Sequence, residues 1–202
     1  MPRKNRAYKR GEPYKDSTLF VIACEGAVRE KEYFEFLSSY STRVRIKVLE
    51  QEEHKSAPKW VLDCAAHYIE ESELNDGDQL WFVMDIDRWP EDQLRTINEE
   101  CKKNSNWFMA LSNPCFEVWL YMHLDDIQNS TSNSCQQLKQ ELSQKVKGGY
   151  NKFTIVPKIR EAAARAKQLD NNLSHFIPAK MRTKMHLLSE QLLQFIGLNA
   201  GL

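Results

Sequence analysis

Four short apolar runs, each followed by a segment with helical spacing, set the pattern of this chain. The runs are Thr18–Cys24, Arg43–Leu49, Asp78–Arg88 and Trp107–Leu111. The third is apolar on both faces, which is typical of a central strand in a parallel sheet, whereas Arg43–Leu49 alternates strictly and predicts a half-exposed or edge strand with a basic outer face. Repeated strand-helix units predict an α/β fold, a mostly parallel sheet flanked by helices.

Helices are predicted between and after these strands from apolar residues at helical spacing. The first is centred on Tyr33–Leu37, and the next two begin near Pro58 and Pro90. A fourth covers Cys115–Leu124 and is expected to be capped by Ser112-Asn113-Pro114. After a polar boundary at 125–134, helices over Gln136–Lys147, Ile159–Leu169 and Thr183–Ile196 predict a C-terminal helical appendage.

The formal net charge is zero, but the charges are unevenly distributed. Residues 1–15 carry six Lys or Arg and one Glu, for a net charge of +5, while residues 16–134 have a net charge of −12 and residues 135–202 of +7. An acidic middle between basic ends suits a metal site that acts on a polyanion, although a solvated helical surface would give the same pattern. Tyr150 is available to stack on a base. The basic residues predicted to contact phosphates are Arg3, Lys4, Arg6, Lys9, Arg10, Lys147, Lys152, Lys158 and Arg160.

The chain has no apolar run long enough to span a bilayer and no apolar N-terminal segment of signal-peptide type, so a cytoplasmic protein without membrane contact is expected. Its five cysteines are odd in number and form no Cys-x-x-Cys motif. Neither a structural zinc site nor a disulfide framework is therefore expected. Cys24, Cys64 and Cys101 are expected to be small buried apolar residues.

Four carboxylates are predicted to lie at the same edge of the sheet. Asp85 and Asp87 end the central strand on one of its faces, Glu25 ends the first strand, and Glu117 lies in the first turn of an almost wholly apolar helix. The carboxyl ends of parallel strands meet at one edge, so these groups could converge on a cation. Ordinary roles stay open: an Asp as helix cap, Glu25 as a turn acid, and Glu117 in an internal salt bridge to an Arg.

Three of these segments together resemble the RloB-like family: the Cys-Glu-Gly turn at 24–26, Asp85-x-Asp87, and Ser-Asn-Pro-Cys-Phe-Glu at 112–117. That family looks like a Toprim-type nuclease, and the resemblance runs over nearly the whole chain. It implies that the α/β domain at 17–125 is Toprim-like; composition and helical spacing add a basic flexible arm at 1–16 and a helical basic region at 135–202.

The resemblance also implies roles for individual residues. Glu25 would be the general acid or base, Asp85 and Asp87 would hold Mg²⁺ (or Mn²⁺), and Glu117 would complete the acidic cluster. Glu30, at the start of the first helix, would be either a further ligand or a carboxylate that interacts only with the helix dipole. The metal would promote phosphodiester hydrolysis by polarising a phosphoryl oxygen and orienting water.

Relatives lie beside ABC-type ATPases in bacterial antiviral and restriction loci, so an ATPase partner is expected. The chain has no Gly-x-x-x-x-Gly-Lys-Ser/Thr motif, and any ATP dependence would come from another chain. The choice among DNA, tRNA and other RNA stays open, and so does a homo-oligomer.

Two other functions compete with the nuclease. Haloacid-dehalogenase-like phosphatases also place Asp-x-Asp after an apolar strand, but here Trp89 stands where they have a small hydroxyl residue, and the motif is on the third strand. A non-catalytic module that binds nucleic acid or an ATPase is the other alternative. Segments 50–59 and 88–91 lack the glycines that Toprim domains often have there, so this alternative stays open.

Overall fold

A five-stranded sheet forms the centre of the computed structural model, which describes residues 17–24, 28–49, 58–72, 74–87 and 89–196. The strands are β1 (Thr18–Cys24), β2 (Val44–Leu49), β3 (Gln79–Asp85), β4 (Trp107–Asn113) and β5 (Arg182–Thr183). Their order is β2-β1-β3-β4-β5, and β1 to β4 are parallel, whereas β5 is antiparallel to β4. The predicted α/β class is confirmed, and this architecture is consistent with a Toprim-like fold.

Eight α-helices of the described residues flank the sheet. They are α1 (Arg29–Ser38), α2 (Pro58–Glu71), α3 (Glu91–Lys103), α4 (Glu117–Leu124), α5 (Cys135–Lys145), α6 (Lys152–Ile155), α7 (Ile159–Leu169) and α8 (Met185–Leu193). Helices α2 and α3 pack on one face of the sheet, and the other six contribute to the core on the opposite face. The predicted C-terminal helices therefore share a core with the strands, and the same region contributes β5 to the sheet. Within the described part of the chain, no helix has the length and apolarity that a bilayer crossing requires.

Strand β3 is central, as its apolar run predicts. Phe82 and Met84 belong to the core against α2 and α3, whereas Trp81 and Val83 belong to the core against α1 and α4. Successive side chains of a strand point to opposite faces, so an unbroken apolar run satisfies both cores at once. Strand β2 lies at an edge of the sheet, also as predicted, and its basic positions are exposed.

The predicted start of α4 is wrong. Ser112 and Asn113 belong to β4 rather than to a cap, and α4 begins at Glu117 with Phe116 at its N-cap and no side-chain cap. Ser112 stays in the sheet because it lies opposite Asp85 and its hydroxyl is 2.8 Å from that of Thr183.

The short strand β5 lies partly inside a predicted helix. Thr183 was expected to begin the last helix, but it pairs with β4, and α8 starts at Met185. The Thr183 hydroxyl donates to Leu111 O at 3.2 Å and accepts from Met185 N at the same distance. A two-residue strand has too little pattern to be recognised in a sequence.

Candidate functional site

Asp85 stands at the carboxyl end of the central strand. It is the last residue of β3, it is half-buried, and it lies opposite Ser112 of β4. By strand alternation it shares the face of Trp81 and Val83, the face that α1 and α4 cover. This is the orientation that the sequence predicts, opposite to Phe82.

Asp87 lies beyond the strand, in an exposed turn. Its backbone N–H donates to Pro114 O at 3.1 Å. The N–H of Ile86 lies 3.0 Å from Ser112 O and 3.1 Å from Pro114 O. The turn that carries Asp87 is therefore fixed to the segment that enters α4, at the predicted edge of the sheet.

Glu117 begins α4 and is almost fully buried, at 6% exposure. Arg29 Nη1 donates to its Oε1 at 2.9 Å, and Lys139 Nζ is 3.6 Å from the same oxygen. A buried carboxylate needs such partners. The internal salt bridge that the sequence left open is therefore present, and Arg29 supplies it.

Arg29 and Lys139 were not predicted as site residues. Arg29 is the first residue of α1, and its side chain is 37% exposed although one of its nitrogens holds Glu117. Lys139 reaches Glu117 from α5. No local motif marks either residue, because the partner is far away in sequence.

Of the other two predicted metal ligands, the structure describes one. Glu25 lies outside the described residues, and Glu30 is half-buried in α1. Across the described residues, Asp85, Asp87 and Glu117 are not a trio with ligand atoms within 4.8 Å of one another. The metal roles of these carboxylates stay predictions.

Two cysteines beside Glu117 are joined. Cys115 and Cys135 form a disulfide with a Cα–Cα distance of 5.9 Å, so the expectation of no disulfide is wrong for this pair. Cys135 Sγ also lies 3.4 Å from Glu117 Oε2. Spacing rules missed the pair because it depends on the packing of α4 against α5. Cys24 and Cys101 are buried as expected, whereas Cys64 is half-buried.

A buried pair formed by Tyr33 and His123 connects α1 to α4. His123 Nδ1 lies 2.9 Å from Trp119 O, and its Nε2 lies 3.0 Å from the Tyr33 hydroxyl. A carbonyl can only accept, so Nδ1 carries the proton and Nε2 accepts from Tyr33. Burial lowers the pKa of His123 to about 3 and raises the pKa of Tyr33. The pair is therefore neutral and links α1 to α4.

The C-terminal basic residues differ in their exposure to solvent. Lys147, Lys158 and Arg160 are exposed. Lys152 is half-buried and its ammonium lies 3.1 Å from Glu32 on α1. The remaining predicted contacts, Arg3, Lys4, Arg6, Lys9 and Arg10, lie outside the described residues.

Phe153 is an exposed aromatic residue that follows Lys152 in the sequence. It is 69% exposed, and its ring lies 5.7 Å from the Lys152 ammonium. Tyr150, predicted to stack on a base, instead packs partly buried against the core with its hydroxyl buried. Phe153 is therefore the better placed of the two for stacking.

Comparison with models of protein families gives a match that covers most of the chain. The model of the family described as RloB-like protein matches residues 20–192, from β1 into α8. No curated protein and no solved structure matches the chain. The matched range contains Asp85, Asp87, Arg29 and Glu117.

Proposed function

The chain belongs to the RloB-like family, and on that premise we propose that it is a metal-dependent nuclease that hydrolyses phosphodiester bonds of a nucleic acid. The observation that carries the proposal is the position of Asp85 at the carboxyl end of the central parallel strand, with Asp87 two residues later in an exposed turn. Ligands of open α/β sheets bind at this edge.

Asp85 and Asp87 are the proposed Mg²⁺ ligands. Carboxylate oxygens are the donors that Mg²⁺ prefers, and one half-buried and one exposed carboxylate leave room for water and phosphate oxygens. When bound, the ion would polarise a phosphoryl oxygen and lower the pKa of an attacking water. Backbone hydrogen bonds to Pro114 hold the turn, so Asp87 is positioned before any ion binds.

Glu25 is the proposed general base, by resemblance and by its place in the chain. It directly follows β1, whose last residue, Cys24, lies opposite Val83 in the register with β3. A carboxylate at the same edge as a metal-bound water can accept its proton.

Arg29 is the proposed phosphate ligand beside the acidic pair. It begins α1 on the face toward which Asp85 points, and its partly exposed guanidinium can donate to a phosphate while Glu117 fixes its orientation. In this proposal Glu117 acts as a positioning residue for Arg29. The exposed Lys147, Lys158 and Arg160 would bind neighbouring phosphates.

We also propose that the nuclease is the effector of a bacterial antiviral system with an ABC-type ATPase partner, as the family resemblance implies. The sequence supports a division of labour, because it carries acidic and basic groups suited to phosphodiester chemistry and no phosphate-binding loop for ATP.

A cleavage panel tests the proposal. Plasmid, single-stranded DNA and total tRNA are incubated with wild type, Asp85→Asn and Asp76→Asn, each with Mg²⁺, with Mn²⁺ and with EDTA. Asp76 is the matched control because it is an exposed Asp in the turn that precedes β3, at the opposite edge. Metal-dependent cleavage by wild type and Asp76→Asn, but not by Asp85→Asn, supports the nuclease. The member of the panel that is cleaved identifies the class of nucleic acid that the protein acts on.

One observation favours the non-catalytic module as a second candidate. Arg29 and Lys139 already hold the Glu117 carboxylate, which removes it from the predicted acidic cluster. In that case wild type binds a member of the panel without cleaving it, and Asp85→Asn binds equally well.

A further inference from the structure

The disulfide and the carboxylate beside it form a compact group of three ligand residues. Cys115 lies two residues before Glu117, which begins α4, and Cys135 is the first residue of α5. One ligand atom from each of the three lies within 4.8 Å of the other two. Cys115 is 1% exposed, Glu117 is 6% exposed and Cys135 is half-buried, so the group is largely shielded from solvent.

The donors of this group differ from those of the Asp85 edge. Two sulfurs and one carboxylate oxygen match the ligands of a borderline-soft divalent ion such as Zn²⁺, whereas Mg²⁺ takes oxygen donors. Three protein ligands are also the number that leaves a fourth, tetrahedral position for water.

The two oxygens of Glu117 are divided between two neighbourhoods. Oε1 is held by Arg29 at 2.9 Å and by Lys139 at 3.6 Å, while Oε2 lies 3.4 Å from Cys135 Sγ. An outer hydrogen bond to one oxygen orients the other, which is how outer-shell partners prepare metal ligands. The carboxylate is therefore aimed at the sulfurs and away from solvent.

We propose that Cys115, Cys135 and Glu117, once the disulfide is reduced, form a Zn²⁺ site that is separate from the Asp85 edge. A dithiol reductant gives two electrons and two protons to the S–S bond and becomes a cyclic disulfide. Zn²⁺ then displaces one proton from each thiol, and two Zn–S bonds replace the two S–H bonds.

The charges around the group accommodate this exchange. Two thiolates and Glu117 carry three negative charges, and Arg29 and Lys139 carry two positive ones, so the formal charge is −1 before the ion binds and +1 afterwards. With both sulfurs protonated the same group would carry +1 and repel a cation. Metal binding is therefore coupled to the release of the two thiol protons.

The proposed ion and the disulfide would connect the same two helices. Either link ties the start of α4 to the start of α5, across 20 residues of sequence. The start of α4 is also bound through Pro114 to the turn of Asp87. The link between the helices would thus persist under reducing conditions, where a disulfide opens.

Co²⁺ is the probe for the site, because thiolate ligands give Co²⁺ an intense near-ultraviolet charge-transfer absorption. Full-length protein is reduced with a dithiol, freed of it without air, titrated with Co²⁺ and then with Zn²⁺. We expect one Co²⁺ per chain with thiolate absorption that one equivalent of Zn²⁺ abolishes. Wild type with its disulfide intact should show no such absorption, a comparison that needs no variant.

Variants locate the site. Cys115→Ser and Cys135→Ser should lose the thiolate absorption or at least about 10-fold to 100-fold in Co²⁺ affinity, and Glu117→Gln should weaken binding about 10-fold. Cys64→Ser, which changes a half-buried cysteine outside the disulfide, should bind as wild type does. Asp85→Asn should also keep the Co²⁺ site, which separates this result from the fate of the nuclease.

Three results would overturn the proposal: no thiolate absorption in the reduced wild type, equal absorption in Cys115→Ser, or loss of the absorption in Cys64→Ser. The first would leave the pair as a simple disulfide, and the other two would place the metal on different cysteines.

Discussion

Arg29 Nη1 lies 2.9 Å from Glu117 Oε1, and this ion pair joins the first residue of α1 to the first residue of α4. Both helices begin at the carboxyl edge of the sheet, beside the end of β3. The pair therefore brings a partly exposed cation to the same edge as the half-buried carboxylate of Asp85. A phosphate that approaches this edge would meet a positive group beside a metal-binding one.

Removal of the Arg29 charge should lower stability. Arg29→Met leaves Lys139, at 3.6 Å, as the cation beside the buried Glu117, and the free energy of unfolding should fall by about 1–2 kcal/mol, less than for a fully buried pair because Arg29 is partly solvated. Urea denaturation of Arg29→Met, Glu117→Gln and the double variant gives the coupling. Arg95→Met, which breaks an exposed pair with Glu91, should change stability by less than about 0.5 kcal/mol. Additive effects at positions 29 and 117 would show that the pair contributes nothing.

Two neighbouring glycines allow the stability cost of a strained backbone to be measured separately from the cost of a close contact. Gly148 and Gly149 have φ of +77° and +76°, so an Ala at either position should cost about 1 kcal/mol. A Cβ at 148 meets nothing within 4 Å, whereas one at 149 would lie 3.0 Å from the Ser143 hydroxyl, which donates to Lys139 O. Gly149→Ala should therefore destabilise more than Gly148→Ala in thermal unfolding. Equal losses would show that the Ser143 contact is relieved without cost.

The buried His123 should make stability depend on pH. Its folded pKa of about 3 lies below the ordinary 6.5, so the unfolded chain binds the extra proton and the free energy of unfolding rises with pH between about 3 and 6.5. The slope should approach about 1.4 kcal/mol per pH unit in that interval. His186, whose pKa burial also lowers, adds to the same slope.

Urea midpoints at pH 5 and pH 7 check this expectation. His123→Gln should be less stable than wild type at pH 7 but should show a smaller difference between the two pH values, because Gln does not titrate. The interval avoids Asp125, whose pKa is lowered to about 2 chiefly by hydrogen bonds from Asn129 and Lys145. An unchanged pH difference in His123→Gln would mean that His123 does not remain neutral when folded.

Nucleic-acid binding should depend on the exposed C-terminal cations. Lys158→Glu and Arg160→Glu should each weaken binding and reduce the slope of log affinity against log salt by roughly 0.7–0.9 per lost phosphate contact. Lys103→Glu on α3, on the other side of the sheet, is the matched control and should behave as wild type does. Fluorescence anisotropy with a labelled strand at several salt concentrations gives the slopes. Equal slopes for all four proteins would place the binding surface elsewhere.

The centre of the fold could be predicted because its pattern is local. β1 matches its predicted bounds, and β3 lies within the predicted run Asp78–Arg88 but ends at Asp85, before Asp87. An apolar run between polar breaks has few alternatives, so its position in the chain is predictable. The alternation within β3 also fixed the side of the sheet to which Asp85 points. α7 was likewise predicted over Ile159–Leu169, the bounds that the structure has.

The parts that were missed depend on contacts between distant residues. Glu117 was recognised as a buried carboxylate, but its partner Arg29 is 88 positions away and carries no motif. Cys115 and Cys135 are brought together by the packing of α4 on α5, which spacing rules do not include. The extension of β4 through Asn113 follows from pairing with Arg182 of β5, which lies far away in the sequence. Tertiary packing decided each of these features.

The rate of nucleic-acid cleavage as a function of Mg²⁺ concentration tests the central claim most directly. Wild type, Asp85→Asn, Asp87→Asn and the control Asp76→Asn are compared on the substrate that the panel identifies. We predict saturable Mg²⁺ activation in wild type and Asp76→Asn, and a rate lower by at least about 100-fold in the other two variants, because a lost metal ligand removes several kcal/mol of transition-state stabilisation. Cleavage by Asp85→Asn at the wild-type rate and with the wild-type Mg²⁺ dependence would contradict the assignment of the catalytic metal to this edge of the sheet.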